Sequence, residues 1–184
     1  MKAVLIIGII SVTLFLSCKK EKSYLHFTDK QLVFVNYSKG QSLKFIDTTS
    51  VVQTLTQESY RREFREQVGL YGKTGALTEE YEVLYRAENN GSLGLQIDVD
   101  ALSRSLSLEI ASYWNQIALN PDTLQPPFSS LSINGKTYDD VYALKMYKNG
   151  QYVNSTDTAT QLHNKEYGVI QLLFPNGKRI IRVD

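Results

Sequence analysis

The chain has 184 residues, with 20 basic and 19 acidic side chains and a formal net charge of +1. This balance supplies no basic surface for a polyanion, so we predict no nucleic-acid partner. A single cysteine excludes an internal disulfide and a cysteine-rich metal centre. The length suits one ordinary domain with its own core.

The chain opens with a lysine at position 2, an apolar run over residues 3–16, and then Cys18. This order is typical of a secretory signal, and the cysteine just after the cut resembles bacterial lipoprotein signals. The resemblance implies a diacylglyceryl group on the Cys18 sulfur. A transmembrane anchor is the alternative, but it needs roughly 20 apolar residues. We therefore expect residues 1–17 to form a signal helix and Cys18 to carry lipid.

Residues 18–29 are polar at their start and are predicted to link the lipid to the domain. In lipoproteins of Bacteroidota, which this chain resembles, acidic residues soon after the cysteine favour export to the cell surface. Here Glu21 stands alone among lysines. The expectation is a cell-envelope protein held to the outer membrane by its lipid and facing the periplasm, with surface display left open.

The remaining residues, 30–184, are predicted to form a single β-rich domain. Asn-Gly pairs supply the positive φ angles of tight hairpins. They begin at Asn90, Asn134, Asn149 and Asn176. Apolar and polar residues alternate around them, as in half-buried strands. We predict a mainly β fold, either an antiparallel β-sandwich or a partly open β-barrel.

Two stretches are ambiguous between helix and strand. Residues 58–70 carry Tyr60, Phe64 and Val68 at a four-residue spacing that suits a helix, but they follow a β-branched segment and are left undecided. Residues 102–117 also have an apolar helical spacing. Strand is favoured there because serine alternates with apolar residues.

The C-terminal half carries a second resemblance. The sequence Gly-Lys-Thr-Tyr-Asp-Asp-Val-Tyr over residues 135–142, and Glu-Tyr-Gly-Val-Ile-Gln over residues 166–171, look like hairpins of uncharacterised Bacteroidota lipoproteins. The resemblance implies a mostly β domain, and no catalytic residues come with it. A proline-containing loop over residues 120–130 precedes this part.

Candidate catalytic groups are few. His26 and His163 are far apart and lack the spacing of paired metal ligands. Asp98 and Asp100 share one side of a predicted strand, but a solvated sheet face normally carries such charge. We expect no metal, no cofactor and no enzymatic activity.

Aromatic residues are the main candidate for binding. Twelve tyrosines and one tryptophan are present, although most are expected to pack in the core. A rim formed by Tyr113, Trp114, Tyr138 and Tyr142 is the predicted place for an envelope glycan or protein. Thr48, Thr123 and Thr158 each follow an aspartate, in the pattern at which extracytoplasmic Bacteroidota proteins can be O-glycosylated.

The sequence leaves three functions open. The favoured one is a non-catalytic binding or structural module of the envelope. The alternative is a lipid or lipoprotein carrier or chaperone with an apolar cavity in a curled sheet. A hydrolase with an unrecognised site is the third.

Overall fold

A computed structural model describes residues 21–88, 93–110, 114–148 and 158–184. Within them the chain forms one short helix, α1 (Asp29–Leu32), a 3₁₀ turn at Pro121–Thr123 and twelve strands. The strands are β1 (Ser23–Leu25), β2 (Leu43–Asp47), β3 (Val52–Gly69), β4 (Gly72–Ala87), β5 (Gly94–Asp100), β6 (Ser105–Ile110), β7 (Trp114–Leu119), β8 (Phe128–Ile133), β9 (Lys136–Lys148), β10 (Thr158–Asn164), β11 (Gly168–Leu173) and β12 (Arg179–Arg182).

The strands form a single curled sheet. Antiparallel pairing runs from β4 through β3, β2, β12, β11, β10, β9, β7 and β6 to β5, and β5 pairs with β4 again. Among the described residues, β7 and β9 pair at two positions, with Trp114 opposite Lys148 and Asn115 opposite Tyr147. The predicted mainly β, antiparallel fold is therefore confirmed, in the form of one curled sheet.

Period-two alternation gives the sheet an apolar inner face. On β5, Leu95, Ile97 and Val99 are buried, whereas the residues between them are half-buried. β4 and β6 repeat this pattern in register, so their inward side chains meet across the ladder. Burying one such side chain contributes about 1.5–3 kcal/mol. This inner face holds the larger hydrophobic cluster.

Residues 27–37 enter the sheet at the end where β5 finishes and β10 meets β11; we call this the closed end. A capping box between Thr28 and Gln31 starts α1, because each side chain accepts a hydrogen bond from the other residue's backbone N–H. Phe34 then packs, fully buried, in the inner cluster. No helix in the described ranges is long and apolar enough to cross a membrane.

Tyr37 fixes this segment to the sheet. Its hydroxyl accepts a 2.7 Å hydrogen bond from the Val169 N–H on β11, and its backbone bonds the Tyr81 hydroxyl on β4. Burial raises the pKa of Tyr37 far above its usual value, so its hydroxyl remains protonated. Through its side chain and its backbone, this one residue thereby links β11 to β4.

A second, smaller cluster lies on the outer face. The hairpin of β8 and β9 brings Ile133, Tyr138 and Val141 against Leu162 and Ile170 of β10 and β11. The turn of this hairpin is the predicted Asn-Gly pair, with both residues at positive φ. The hairpin prediction is confirmed at this position, and a glycine at positive φ also follows Asn176.

The ambiguous residues 58–70 are strand, within β3 and its turn. A four-residue spacing is also a multiple of two, so Tyr60 and Phe64 share one face of a strand as readily as one face of a helix. For residues 102–117 the favoured strand interpretation is confirmed at 105–110 and 114–117, which lie in β6 and β7, whereas residues 102–104 form the turn before β6.

Of the two predictions for the N-terminal residues, the structure bears on the one for residues 18–29. The predicted signal helix over residues 1–17, together with Cys18, lies outside the described residues. The predicted linker over residues 18–29 is wrong in its second half, because Ser23–Leu25 form β1 and Phe27 is buried in the inner cluster. The folded domain therefore begins before residue 30.

Gly168 tests the contact that joins the N-terminal segment to β11. Its φ is +73°, and a Cβ there would overlap the Tyr37 ring. We expect Gly168→Ala to lower the free energy of unfolding by roughly 3 kcal/mol or more, because it adds a buried clash to backbone strain. The measurement is urea denaturation.

Gly177→Ala is the matched control, because Gly177 has φ +79° and a Cβ there would meet open space. Backbone strain alone should cost about 1–2 kcal/mol there. Equal losses in the two variants would contradict the proposed role of Tyr37.

Candidate functional site: an exposed aromatic arm

The described residues of the predicted aromatic rim do not lie together in the structure. Tyr113 lies outside the described residues, and Trp114 begins β7 at the end away from α1. Tyr138 is buried in the outer cluster, whereas Tyr142 packs on the inner side against Phe34, with ring centroids 6.2 Å apart. The rim prediction is wrong for Tyr138 and Tyr142, because Asp140, with φ +51°, departs from the extended strand conformation between them and they lie in different clusters.

A groove beside Tyr138 is polar but holds no open stacking face. Tyr138 and Tyr167 meet edge to face at 5.4 Å, and the Lys136 ammonium lies 3.8 Å from the Tyr167 centroid. Arg182 in the same groove bonds Asp184 at 2.7 Å. The rings and charges therefore stabilise one another at this end of β12.

The carboxylates of β5 have structural partners. Asp98 accepts a 2.9 Å hydrogen bond from Gln96, and Asp100 accepts one of 2.8 Å from the Leu102 N–H in the following turn. Burial raises the pKa of Asp98. In the described ranges no three His, Cys, Asp or Glu side chains are grouped to hold a metal ion.

His163 faces the interior. Its Nε2 lies 3.2 Å from the Val33 carbonyl oxygen, and its ring is 4.7 Å from that of Phe34. Burial lowers the pKa of His163 to about 3, so the ring is neutral at physiological pH. Its position makes it a core residue that fastens the N-terminal segment to β10.

This burial predicts a pH dependence of stability. Between pH 6.5 and 3 the unfolded chain binds a proton at position 163 that the folded chain does not. The free energy of unfolding should fall as the pH is lowered through this window, with a slope of up to about 1.4 kcal/mol per pH unit from this group. His163→Gln, which is never protonated, should show a shallower fall in denaturation series at pH 7, 6, 5 and 4. Parallel curves for the two proteins would contradict the account.

The three predicted glycosylation threonines have different surroundings. Thr48 is exposed in the turn between β2 and β3, and Thr123 is exposed in the 3₁₀ turn. Thr158 is the half-buried first residue of β10, opposite Tyr147. Only the first two occupy accessible turns, which modification would require.

The longest hairpin extends beyond the rest of the sheet. β5 pairs with β4 from Glu80 onward, and β2 pairs with β3 at residues 52–55. Residues 62–79, which we call the arm, lie past these contacts, and within the described chain β1 is their one added strand. Since the arm leaves the sheet at the closed end, it continues the inner face into solvent.

Three aromatic rings cover this continued face. Tyr24 of β1 and Phe64 of β3 meet edge to face at 5.4 Å, and the His26 ring lies 5.1 Å from Phe64. Tyr24 is 56% exposed and Phe64 is 39% exposed. We call Tyr24, His26 and Phe64 the aromatic face. Its rings are held in fixed orientations yet remain open to solvent.

A buried carboxylate holds the aromatic face in place. Glu79 on β4 accepts hydrogen bonds from the Arg62 Nε and Nη2, at 3.1 and 3.0 Å, and from the Phe27 N–H at 3.2 Å. The His26 Nδ1 lies 3.6 Å from the same carboxylate. Charge-assisted bonds of this kind fix geometry as well as contributing energy. Glu79 thereby ties β1 and the arm together behind the rings.

Charge protects the free edge of β3 from pairing with other strands. Beyond its pairing with β2, β3 carries Glu58, Arg61, Arg62, Glu63, Arg65 and Glu66. Arg61 reaches across to Glu82 at 2.9 Å. Charged edges of this kind disfavour addition of a further strand. The aromatic face, rather than the strand edge, is therefore the surface suited to a partner.

Sequence reasoning missed the aromatic face. Tyr24 and His26 lie two residues apart, which is the spacing of one strand face, but they fall in the segment interpreted as linker. Phe64 lies in the segment left undecided. Their meeting depends on parallel pairing of β1 with β4 across about fifty residues of chain, and no local pattern reports it.

No family model, curated protein or solved structure matches this chain.

Proposed function

We propose that this protein is a lipid-anchored, non-catalytic module of the cell envelope that binds an envelope protein or glycan through the aromatic face. The membrane anchor is lipid on Cys18, inferred from the sequence. The expected location is the outer membrane, facing the periplasm, with surface display as the alternative.

The observation that carries this proposal is the exposure of ordered rings on the arm. Aromatic side chains normally bury 150–250 Å² each when they fold into a core or an interface. Here Tyr24 and Phe64 contact each other and remain substantially exposed. Because the orientations of these two rings are already fixed, the rings would lose little side-chain entropy when a partner binds.

The polar groups near the rings support binding more than catalysis. Glu79 is engaged by Arg62 and by a backbone N–H, so its hydrogen-bonding capacity serves the structure. A general base acts on a group held within hydrogen-bond reach, together with a nucleophile or an electrophilic site. Around His26 the described polar contact is Glu79 itself.

One observation favours the carrier alternative. Gln161 on β10 is fully buried on the inner face, and neither of its amide atoms has a hydrogen-bond partner among the described residues. A buried amide without partners costs free energy, and a ligand headgroup inside the sheet would satisfy it. The packing of Phe34 and Tyr37 in the same interior favours the binding module instead.

Photocrosslinking in intact cells tests the proposal. A photoreactive phenylalanine analogue at position 64 should give a discrete adduct, because the ring at that position faces the partner. The same analogue at Phe128, which is exposed on β8, is the control and should give none. Tyr24→Ala should reduce the adduct at position 64 several-fold, because it removes a neighbouring contact ring.

The adduct also distinguishes the two partner classes. A protein partner gives an adduct that yields foreign peptides after digestion, whereas a glycan partner gives one that glycosidases shorten. Equal labelling at positions 64 and 128, or no adduct at position 64, would contradict the assigned surface.

A further inference from the structure

The tip of the arm is apolar and fully exposed. Leu70 and Tyr71, which form the turn between β3 and β4, are 98% and 102% exposed, and Val68 beside them is 73% exposed. Residues 67–72 carry no charge, and Glu66 and Lys73 pair with each other just behind them. Large apolar side chains that cluster at such a protruding point mark a contact surface.

The pairing of β1 places Ser23 at the side of β1 nearer this tip. β1 is parallel to β4, with Ser23 opposite Ala76 and Leu25 opposite Thr78. From Leu25 back to Ser23, β1 therefore runs alongside β4 in the direction of the first residues of β4 and the turn. Ser23 lies five positions after Cys18, and Ala76 lies five positions after Tyr71.

The segment from Ser23 to Cys18 and the segment from Ala76 to Tyr71 have the same maximum length. Five residues span at most about 17 Å when extended, whether they lead from Ser23 to Cys18 or along β4 from Ala76 to Tyr71. A lipid on Cys18 and the side chain of Tyr71 can therefore reach the same plane. That plane is the membrane surface, if Cys18 is acylated.

We propose that the tip residues Val68, Leu70 and Tyr71 insert into the bilayer interface beside the lipid anchor, as a second membrane contact. This inference rests on the proposed lipidation of Cys18. Leucine and valine suit the acyl region, and a tyrosine places its ring in the same layer with its hydroxyl toward the headgroups. The arm then stands on the membrane, with the aromatic face a short distance above it.

A lipid surface fits the tip better than a protein does. A stable protein interface buries about 1,200–2,000 Å² in total, with 20–30 residues on each side. The tip is a single turn with three apolar side chains, and charged residues begin on both strands at Glu66 and Lys73. Shallow insertion into lipid needs only a few such side chains.

Fluorescence of the full-length, lipid-modified chain tests the insertion. Acylation consumes the single native thiol, so Val68→Cys provides one site for an environment-sensitive dye. In vesicles of phosphatidylethanolamine and phosphatidylglycerol, the dye should shift to shorter wavelength and be quenched by spin-labelled lipid. The control is the same dye at Phe128→Cys, which should show neither change.

A second pair of variants distinguishes insertion of the dye itself from insertion of the tip residues. Val68→Cys is measured alone and together with Leu70→Ser and Tyr71→Ser. The blue shift and the quenching should be lost in the triple variant, since the two serines remove most of the apolar tip. Circular dichroism establishes that the triple variant retains its sheet.

Two other outcomes of the fluorescence experiment would refute insertion of the tip into the membrane. A dye at position 68 that is unshifted while the intact mass shows an acylated Cys18 leaves the anchor in place and refutes the tip contact. A blue shift without lipid quenching shows that protein, such as a second copy, covers the tip.

An intact mass without acyl groups refutes the anchor separately. The tip is then measured in a chain carrying Cys18→Ser, in which lipid quenching at position 68 upholds insertion and its absence overturns it.

Discussion

The packing of residues 27–37 into the closed end of the curled sheet is the contact on which the rest of the structure depends. Phe34 fills the interior there, and the Tyr37 hydroxyl bonds β11 while its backbone bonds Tyr81 of β4. His163 adds a contact from β10. Because one segment touches strands on several sides, it fixes the curvature of the sheet.

The same packing decides where a partner can bind. With the interior occupied by the N-terminal segment, the described cluster of exposed aromatic rings is the aromatic face of the arm and β1. Phe27, buried in the interior, donates its N–H to Glu79, and Glu79 holds Arg62 behind the rings. The core and the aromatic face are therefore joined by one carboxylate. The proposed lipid on Cys18 would place both at the membrane end of the molecule.

Much of the fold was predictable because it depends on short-range patterns. Alternation around β5 and β6 and the Asn-Gly turn at Asn134 identify strands and a hairpin without any knowledge of the tertiary structure. The aromatic face was not predictable, because it depends on pairing between residues that are far apart in the sequence. Tyr24 and Phe64 come together through the pairing of β1 with β4, and Tyr138 and Tyr142 lie in different clusters on either side of Asp140, which has a positive φ. Sequence spacing carries no information on either event.

Native mass spectrometry of the domain, exported to its own envelope with Cys18 replaced and purified from there after removal of the signal, tests the central claim most directly. The claim is that the interior is filled by the protein's own side chains and that binding takes place on the arm. The account predicts a mass equal to that of the polypeptide with any covalent modification. A lipid or other small molecule retained by the folded domain would contradict it and would assign the unpartnered amide of Gln161 to a carrier site.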